Sequence, residues 1–453
     1  MTRYKPYSTY KPSGVEWLGD VPKHWQLQRL KFVCHTNPAK SEVAYLPNDT
    51  EVSFCPMESV GNGTISTESK KLLGEVRQGF TYFRDGDIVI AKITPSFENG
   101  KGAIASNLVN GLGFGTTELH VLRPSSLIDR NFLYYLTVSG VFRGFGATQM
   151  YGTAGQKRIS DRFLNDFPTP LPPLQDQRLI AHFLDRETAR LETLITKKCE
   201  LIDLLQKKRS AIITNAVTRG LDPQVPMKDS RLEWVDKIPA HWEVKRLKFT
   251  ADIQTGLTLG KDYKGRNIVN RPYLRVANVQ DGFLDLETIT EISIPVEDSP
   301  RYELKFGDVL MTEGGDFDKL GRGYVWEEQI EGCLHQNHVF AVRPNLEHLD
   351  SHYLAALMTS HYGKAYFTST SQQTTNLATT NRTKLSNFPM PLPDVAEQKN
   401  IIDYISKKNQ QLLLIIEKLT QQIDTLQKYR SALVSAAITG KIDMSEEANR
   451  GVA

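Results

Sequence analysis

Long apolar runs are missing from this chain. No stretch approaches eighteen consecutive apolar residues, which argues against a membrane-spanning helix, and the opening MTRYKPYSTYKPSG lacks the apolar centre of an export signal. A cytoplasmic protein with no membrane partner is the expectation. Cysteine is scarce: the four, at 34, 55, 199 and 333, are too scattered for a zinc knuckle or a disulfide framework. Free thiols are expected and no metal site is predicted. A strong charge of one sign is missing as well. Lys and Arg number 55 against 52 Asp and Glu, and the resulting +3 permits an anionic partner without demanding one.

Signatures of catalysis are equally thin. Methylation of a base amine needs Asn or Asp before Pro-Pro and an aromatic ring, whereas the Pro-Pro of Leu171-Pro172-Pro173-Leu174 offers neither acceptor nor ring. The GLGFG at Gly111 lacks the dinucleotide-binding spacing, and no Walker lysine is present. Glu68-Ser69-Lys70, Glu243-Val244-Lys245 and Glu303-Leu304-Lys305 have the outline of a metal-dependent nuclease motif, but no acidic ligand stands at a suitable distance before them. In HQNH, His335 to His338, Asn337 and His338 are expected to satisfy buried backbone groups at a strand start rather than to bind metal. No catalytic residue and no cofactor is predicted on this chain.

What is present is a repeat. WLGDVPKHWQLQRLKF, from Trp17, returns as WVDKIPAHWEVKRLKF, from Trp234, with eight of sixteen positions identical. The register continues through Gly86-Asp87 and Gly307-Asp308, Arg123-Pro124 and Arg343-Pro344, FPTPLPPLQDQRLI and FPMPLPDVAEQKNI, and LQKKRSAIITNAVT and LQKYRSALVSAAIT. The chain is a tandem duplication of a unit of about 220 residues, the size of a domain plus an appendage. The first part of each copy is rich in glycine, β-branched residues and turn signals, with a few helices, and reads as an α+β globule.

After each proline-rich elbow the texture changes. From Gln175 to about Thr218 there is neither proline nor glycine. Leu184, Leu191, Leu205 and Ile212 fall on a seven-residue grid whose remaining position is Lys198, with Leu194 and Leu201 three residues after grid positions. The second copy fills its grid with Ile405, Leu412, Leu419, Leu426 and Leu433, with Ile415 and Tyr429 at the alternate positions. Such a grid marks a coiled coil. A long helix packed on its own domain is the competing reading, but two such helices in one chain are more simply paired with each other, antiparallel. About 43 residues at roughly 1.5 Å each make a rod of about 60 Å. The expected organisation is a first domain at 1–170, a first helix at 171–220, a second domain at 221–391, a second helix at 392–445 and a tail at 446–453.

With YKPSGVEWLGDVPKHW, the paired PLPPLQDQ and PLPDVAEQ elbows, the paired KKRSAIITNAVTRG and KYRSALVSAAITGK helix ends, and CLHQNHVFAVRP, the chain resembles the specificity subunits of type I restriction-modification systems over essentially its whole length. The resemblance implies two variable target-recognition domains, each reading one half of a split double-stranded DNA site. It implies paired helices that space them and dock two modification (methyltransferase) subunits. S-adenosylmethionine, ATP and Mg would belong to partner subunits, and restriction subunits that translocate DNA can join. The middles of the two copies, 33–166 and 250–387, differ while the frame repeats, which suits two unlike half-sites.

Base reading calls for Arg, Lys, Asn and Gln on loops, with hydroxyls and further cations on phosphates. The first copy offers Lys92, Thr94 and Lys101, then Gln149, Tyr151, Gln156, Lys157 and Arg158 before the elbow. The second offers Thr312, Lys319 and Arg322, then Gln372, Gln373, Asn376, Asn381, Arg382 and Lys384. The repeated Trp-Pro-His-Trp pieces read as an aromatic clamp, and the basic runs near the helix ends are explained by the helix dipole. The alternative is a helical scaffold whose two globules bind protein or carbohydrate.

Overall fold

The computed structural model describes residues 4–153, 155–258, 260, 263–315, 321–373 and 378–444. The chain divides into two compact units, Met1–Lys198 with Gln421–Ala453, and Cys199–Thr420. Each unit holds one α+β globule together with part of each long helix.

In the first unit, strands Cys34–Thr36, Leu119–Pro124, Ile88–Ala91 and Gly102–Ile104 form one four-stranded sheet in that order. A second sheet orders Lys70–Leu72, Glu51–Cys55, Leu112–Gly115 and Thr81–Arg84, with Leu112–Gly115 parallel to Glu51–Cys55. Helices Arg130–Val138 and Gly140–Thr148 follow. Asp129 caps the former, accepting from the backbone N–H of Asn131 and Phe132. The second unit repeats the plan: strands Ala251–Thr255, Val339–Pro344, Val309–Thr312 and Gly323–Val325 share a sheet, and Asp350 caps Ser351–Thr359.

The repeated sequence pieces serve as joints. Trp25 and Trp242 are fully buried in the cores of their units. The strand after each tryptophan pairs antiparallel with its elbow, Gln26–Arg29 with Pro168–Leu171 and Glu243–Arg246 with Pro389–Leu392. A glutamine in the first turn of each long helix then fastens elbow to globule. Gln177 accepts from Asp129 N at 2.6 Å and donates to the Leu127 and Pro172 carbonyls. Gln398 does the same with Asp350 N at 2.8 Å and the His348 and Pro393 carbonyls.

The first long helix runs Leu174–Arg219 and the second Val395–Ile438. Each is followed within two residues by a glycine with positive φ, Gly220 at +74° and Gly440 at +72°, the geometry of a helix stop. Within the first unit, Arg430 pairs with Glu192 at 2.8 Å and Lys198 Nζ donates to Gln422 at 2.6 Å. Numbers fall along one helix as they rise along the other, so the pair is antiparallel. In the second unit Ala216 and Val217 share a core with Ile401 and Ile405.

The grid positions Leu184, Leu191, Ile405, Leu412, Leu419 and Leu433 are buried, and Leu205, Ile212 and Leu426 are half-buried, as is Tyr429. The alternate positions need correction. Leu194, Leu201 and Ile415 are 42%, 42% and 44% exposed. The sheltered alternates lie four residues after each grid position instead of three: Ile195, Ile202, Arg209 and Ala216 on one helix, and Asn409, Ile416, Ile423, Arg430 and Ala437 on the other. Hydrophobicity misleads here because polar Arg209, Asn409 and Arg430 occupy the seam while leucines face outward. Among the described residues, no helix is long and apolar enough to cross a membrane.

Candidate nucleic-acid interface

In each unit the Gly-Asp turn launches a fully buried strand, Ile88–Ala91 or Val309–Thr312, whose far end meets the polar segment that precedes the elbow. In the first unit Ile93 bridges Arg158, the Thr94 N–H donates to the Lys157 carbonyl at 2.9 Å, and the Ile159 N–H donates to Lys92 at 3.0 Å. Tyr151 and Arg158 exchange two backbone bonds of 3.1 and 2.9 Å. Two segments more than fifty residues apart are thereby laid edge to edge.

The buried Arg143 holds this platform from below. Its guanidinium donates to the Phe97 carbonyl at 2.9 Å, to Lys101 at 3.4 Å and to Thr137 at 2.7 Å, so the Ser96–Lys101 loop is tied to the helix beneath. Burial pulls the pKa of Arg143 down to about 10, still charged at neutral pH. What the platform turns outward is Tyr151, 62% exposed, with exposed Gln149, Gln156 and Lys157. An exposed ring among amides and a cation is suited to the grooves and backbone of DNA.

The second unit makes the same junction from different residues. Gly314–Gly315, Ala378–Thr379 and Gln372–Gln373 form a three-stranded sheet with Ala378–Thr379 in the middle. The Thr380 N–H donates to the Glu313 carbonyl at 2.8 Å. Exposed Gln372 and Arg382 stand at this edge.

The sequence matches the type I restriction modification DNA specificity domain over residues 22–202 and 239–425, well over half of the chain. It belongs to that family. The chain is similar to the specificity subunit of the Escherichia coli type I restriction enzyme EcoAI, 44% identical over 169 residues that make up 36% of this chain and 28% of that relative. It thus spans under a third of that relative's length. It is also similar to the EcoKI specificity subunit of Escherichia coli K12, 24% identical over 433 residues, covering 89% of this chain and 88% of the relative. In fold it is similar to a chain of a type I R-M system solved for its complex assembly and conformational transition, with a TM-score of 0.71 at 18% identity, covering 93% of this chain and 99% of that one.

Several of the candidate residues of this specificity-family chain are spent inside it. Thr94 Oγ1 is engaged with the Lys157 backbone, and Lys101 Nζ donates to the Met57 carbonyl at 3.0 Å. Arg158 grips Glu118 through two 2.9 Å bonds, and its guanidinium holds that carboxyl below the usual carboxylate range. Thr312 is a correction: it is fully buried within its strand, with no surface to offer DNA. Arg322 donates to Gln280 at 2.8 Å, and Asn381 caps the helix Arg382–Ser386 through the Lys384 N–H. Lys92 and Lys384 are half-buried at the platform edges. Lys319 and Asn376 lie outside the described residues, and of Gln373 only the backbone pairing with Ala378 is described.

HQNH also differs from expectation. It is His335 that is buried, with Nδ1 2.8 Å from the Val339 carbonyl, while the exposed His338 lies 2.6 Å from Glu313. Among the described residues no cluster of His, Cys, Asp and Glu could hold a metal ion. Glu118 and Gln280, which fix Arg158 and Arg322, carry no sequence signal, because partners 40 and 42 residues away are set only by the fold.

Proposed function

We propose that the chain is the non-catalytic DNA-recognition subunit of a type I restriction-modification complex, working in the cytoplasm, in which each half reads one part of a bipartite, interrupted site. The observation that carries this reading is the repeated junction. Both units present a platform built from the same two chain segments, fastened by the same joints, with different residues turned outward. A shared frame with unlike faces is what two unlike half-sites require of one polypeptide. Modification subunits docked on the helix pair supply adenine methylation with S-adenosylmethionine, and restriction subunits supply ATP- and Mg-dependent translocation and cleavage.

Exchanging residues 33–166 for those of another specificity subunit tests the division of labour. Mapping of modified adenines should show one half of the recognised motif changed and the other intact. Change in both halves, or in neither, overturns the reading. Affinity for DNA should also fall steeply with salt, which a scaffold binding protein or carbohydrate would not show.

A further inference from the structure

The two halves differ where the capped helix of each globule, Arg130–Val138 or Ser351–Thr359, lies against the long helices. In the first unit two tyrosines fill this place. Tyr135 Oη donates to Asp185 at 2.7 Å and lies 3.2 Å from Thr188 Oγ1. Tyr134 packs on the core with its hydroxyl against Gly63, and beside it Arg430 is paired with Glu192.

The duplication puts other residues at each of these positions. Ala355 and Ala356 stand for the tyrosines, Ser406 for Asp185, Asn409 for Thr188, Leu413 for Glu192, and Arg209 for Arg430. All of them line a single cleft of about 720 Å³ in the second unit, together with Tyr324, His352 and Asp403. With no tyrosine in the way, the Arg209 guanidinium reaches to Gly282, the counterpart of Gly63. Asn409 Oδ1 is shut off from solvent and has no hydrogen-bond partner among the described residues. Arg209 Nε is unpaired too, as Arg430 Nε is in the first unit, but Arg430 has Glu192 on its guanidinium and Arg209 has no such carboxylate among the described residues. A buried donor and a buried acceptor left unpaired are destabilising, and a group that completes them is bound in proportion.

The first unit shows what suits such a space: phenol rings between the helices and a carboxylate on the arginine. At the rim of the cleft Leu413 is 48% exposed, an apolar edge that a side chain carried on a docked polypeptide would cover. We propose that this cleft receives an aromatic side chain with a neighbouring carboxylate from a polypeptide docked on the helices, the ring lying over Ala355 and Ala356 and the carboxylate on Arg209. This rests on the reading of the chain as a specificity subunit, whose docked polypeptide is the modification subunit. The two docking sites are then unequal, because the corresponding place in the first unit is occupied by the chain's own Tyr134 and Tyr135.

The test uses the full chain and purified modification subunit, titrated at fixed salt. Ala355→Tyr/Ala356→Tyr, which fills the cleft, and Arg209→Met, which removes its cation at similar bulk, should each weaken one of two bound modification subunits tenfold or more and leave the other unchanged. Melting curves report whether the double variant folds; if it does not, Arg209→Met decides alone. Unchanged affinity in Arg209→Met overturns the proposal. So does binding of free N-acetyl-tyrosine to the wild type without any loss of subunit affinity in the variants, which would mark a small-molecule site. Failure of the wild type to bind modification subunit at all would instead bring down the functional reading, and this inference with it.

Discussion

In the first unit Asp87, buried under its sheet, holds Arg123 through two 2.7 Å bonds; in the second Asp308 holds Arg343 through two more of the same length. Each aspartate also accepts a backbone N–H from its own turn, Arg84 at 2.9 Å or Lys305 at 2.8 Å. Among the described residues Arg123 alone is hydrogen-bonded to a second carboxylate, Glu42 at 2.6 Å, whereas Arg343 has Asp252 only as a neighbouring charge. Arg123 is also the more deeply buried arginine, its side chain 10% exposed against 35% for Arg343. The same pattern of a common joint with a local difference holds at the elbow glutamines and at the tryptophans. What the duplication keeps is chemistry the chain addresses to itself, and what it changes lies on outward faces and in the seam against the long helices.

Removing the aspartates should separate the two joints. Asp87→Ala strands a buried guanidinium with only the partly exposed Glu42, and a loss of about 3–5 kcal/mol is expected. Asp308→Ala leaves an arginine that can turn to water, and about 2 kcal/mol is expected. Denaturant unfolding followed by tryptophan fluorescence resolves them, since Trp17 and Trp25 report on one unit and Trp234, Trp242 and Trp326 on the other. Equal losses would mean that Glu42 and burial do not distinguish the joints.

The sequence carried this frame because its signals are local or doubled. The heptads, the elbows and the Gly-Asp turns are each visible within a few residues, and the second copy repeats them. The seam of the helices was legible only in part. A heptad grid marks one line of contacts, but Arg209, Asn409 and Arg430 on the other line are polar, and outward Leu194 and Leu201 draw the eye to the wrong face. For the candidate interface, residue types pointed to the right segments but not to the pairing of Ile93 with Arg158. Nor did they show which cations are already committed, as Arg158 is to Glu118. That information resides in contacts spanning tens of residues, where no periodicity reaches.

Acid should part the units next. Burial pushes the His335 imidazole down to about 4, against its Nδ1 contact with the Val339 carbonyl. The folded chain therefore binds this proton less readily than the unfolded chain. Stability from this group is full above the unfolded value near 6.5, falls as pH drops toward 4, and levels off below, a loss of roughly 3 kcal/mol at about 1.4 kcal/mol per decade. His120 in the first unit is also lowered by burial, but the Ile159 carbonyl and the Asp161 carboxylate at 3.2 Å work against that shift. Unfolding measured from pH 7 to 4 should show the second unit losing more. His335→Asn, which retains a donor for Val339, should flatten its slope; an unchanged slope would assign the acid sensitivity elsewhere.

The smallest difference between the units is one methylene. Glu397 reaches both His241, at 2.8 Å, and the indole N–H of Trp242, at 3.0 Å. Its counterpart Asp176 reaches His24 at 3.1 Å, and the Trp25 indole N–H has no hydrogen-bond partner among the described residues. Since both rings are fully buried at the same joint, the shorter side chain explains the orphaned donor. Asp176→Glu should supply the bond and stabilise the first unit by about 1 kcal/mol, while Glu397→Asp should remove it and destabilise the second by a similar amount. The indole proton resonances of Trp25 and Trp242 should move in opposite directions in the two variants. Movement of neither, with stability unchanged, would show that the reach of the carboxylate is not what sets these two joints apart.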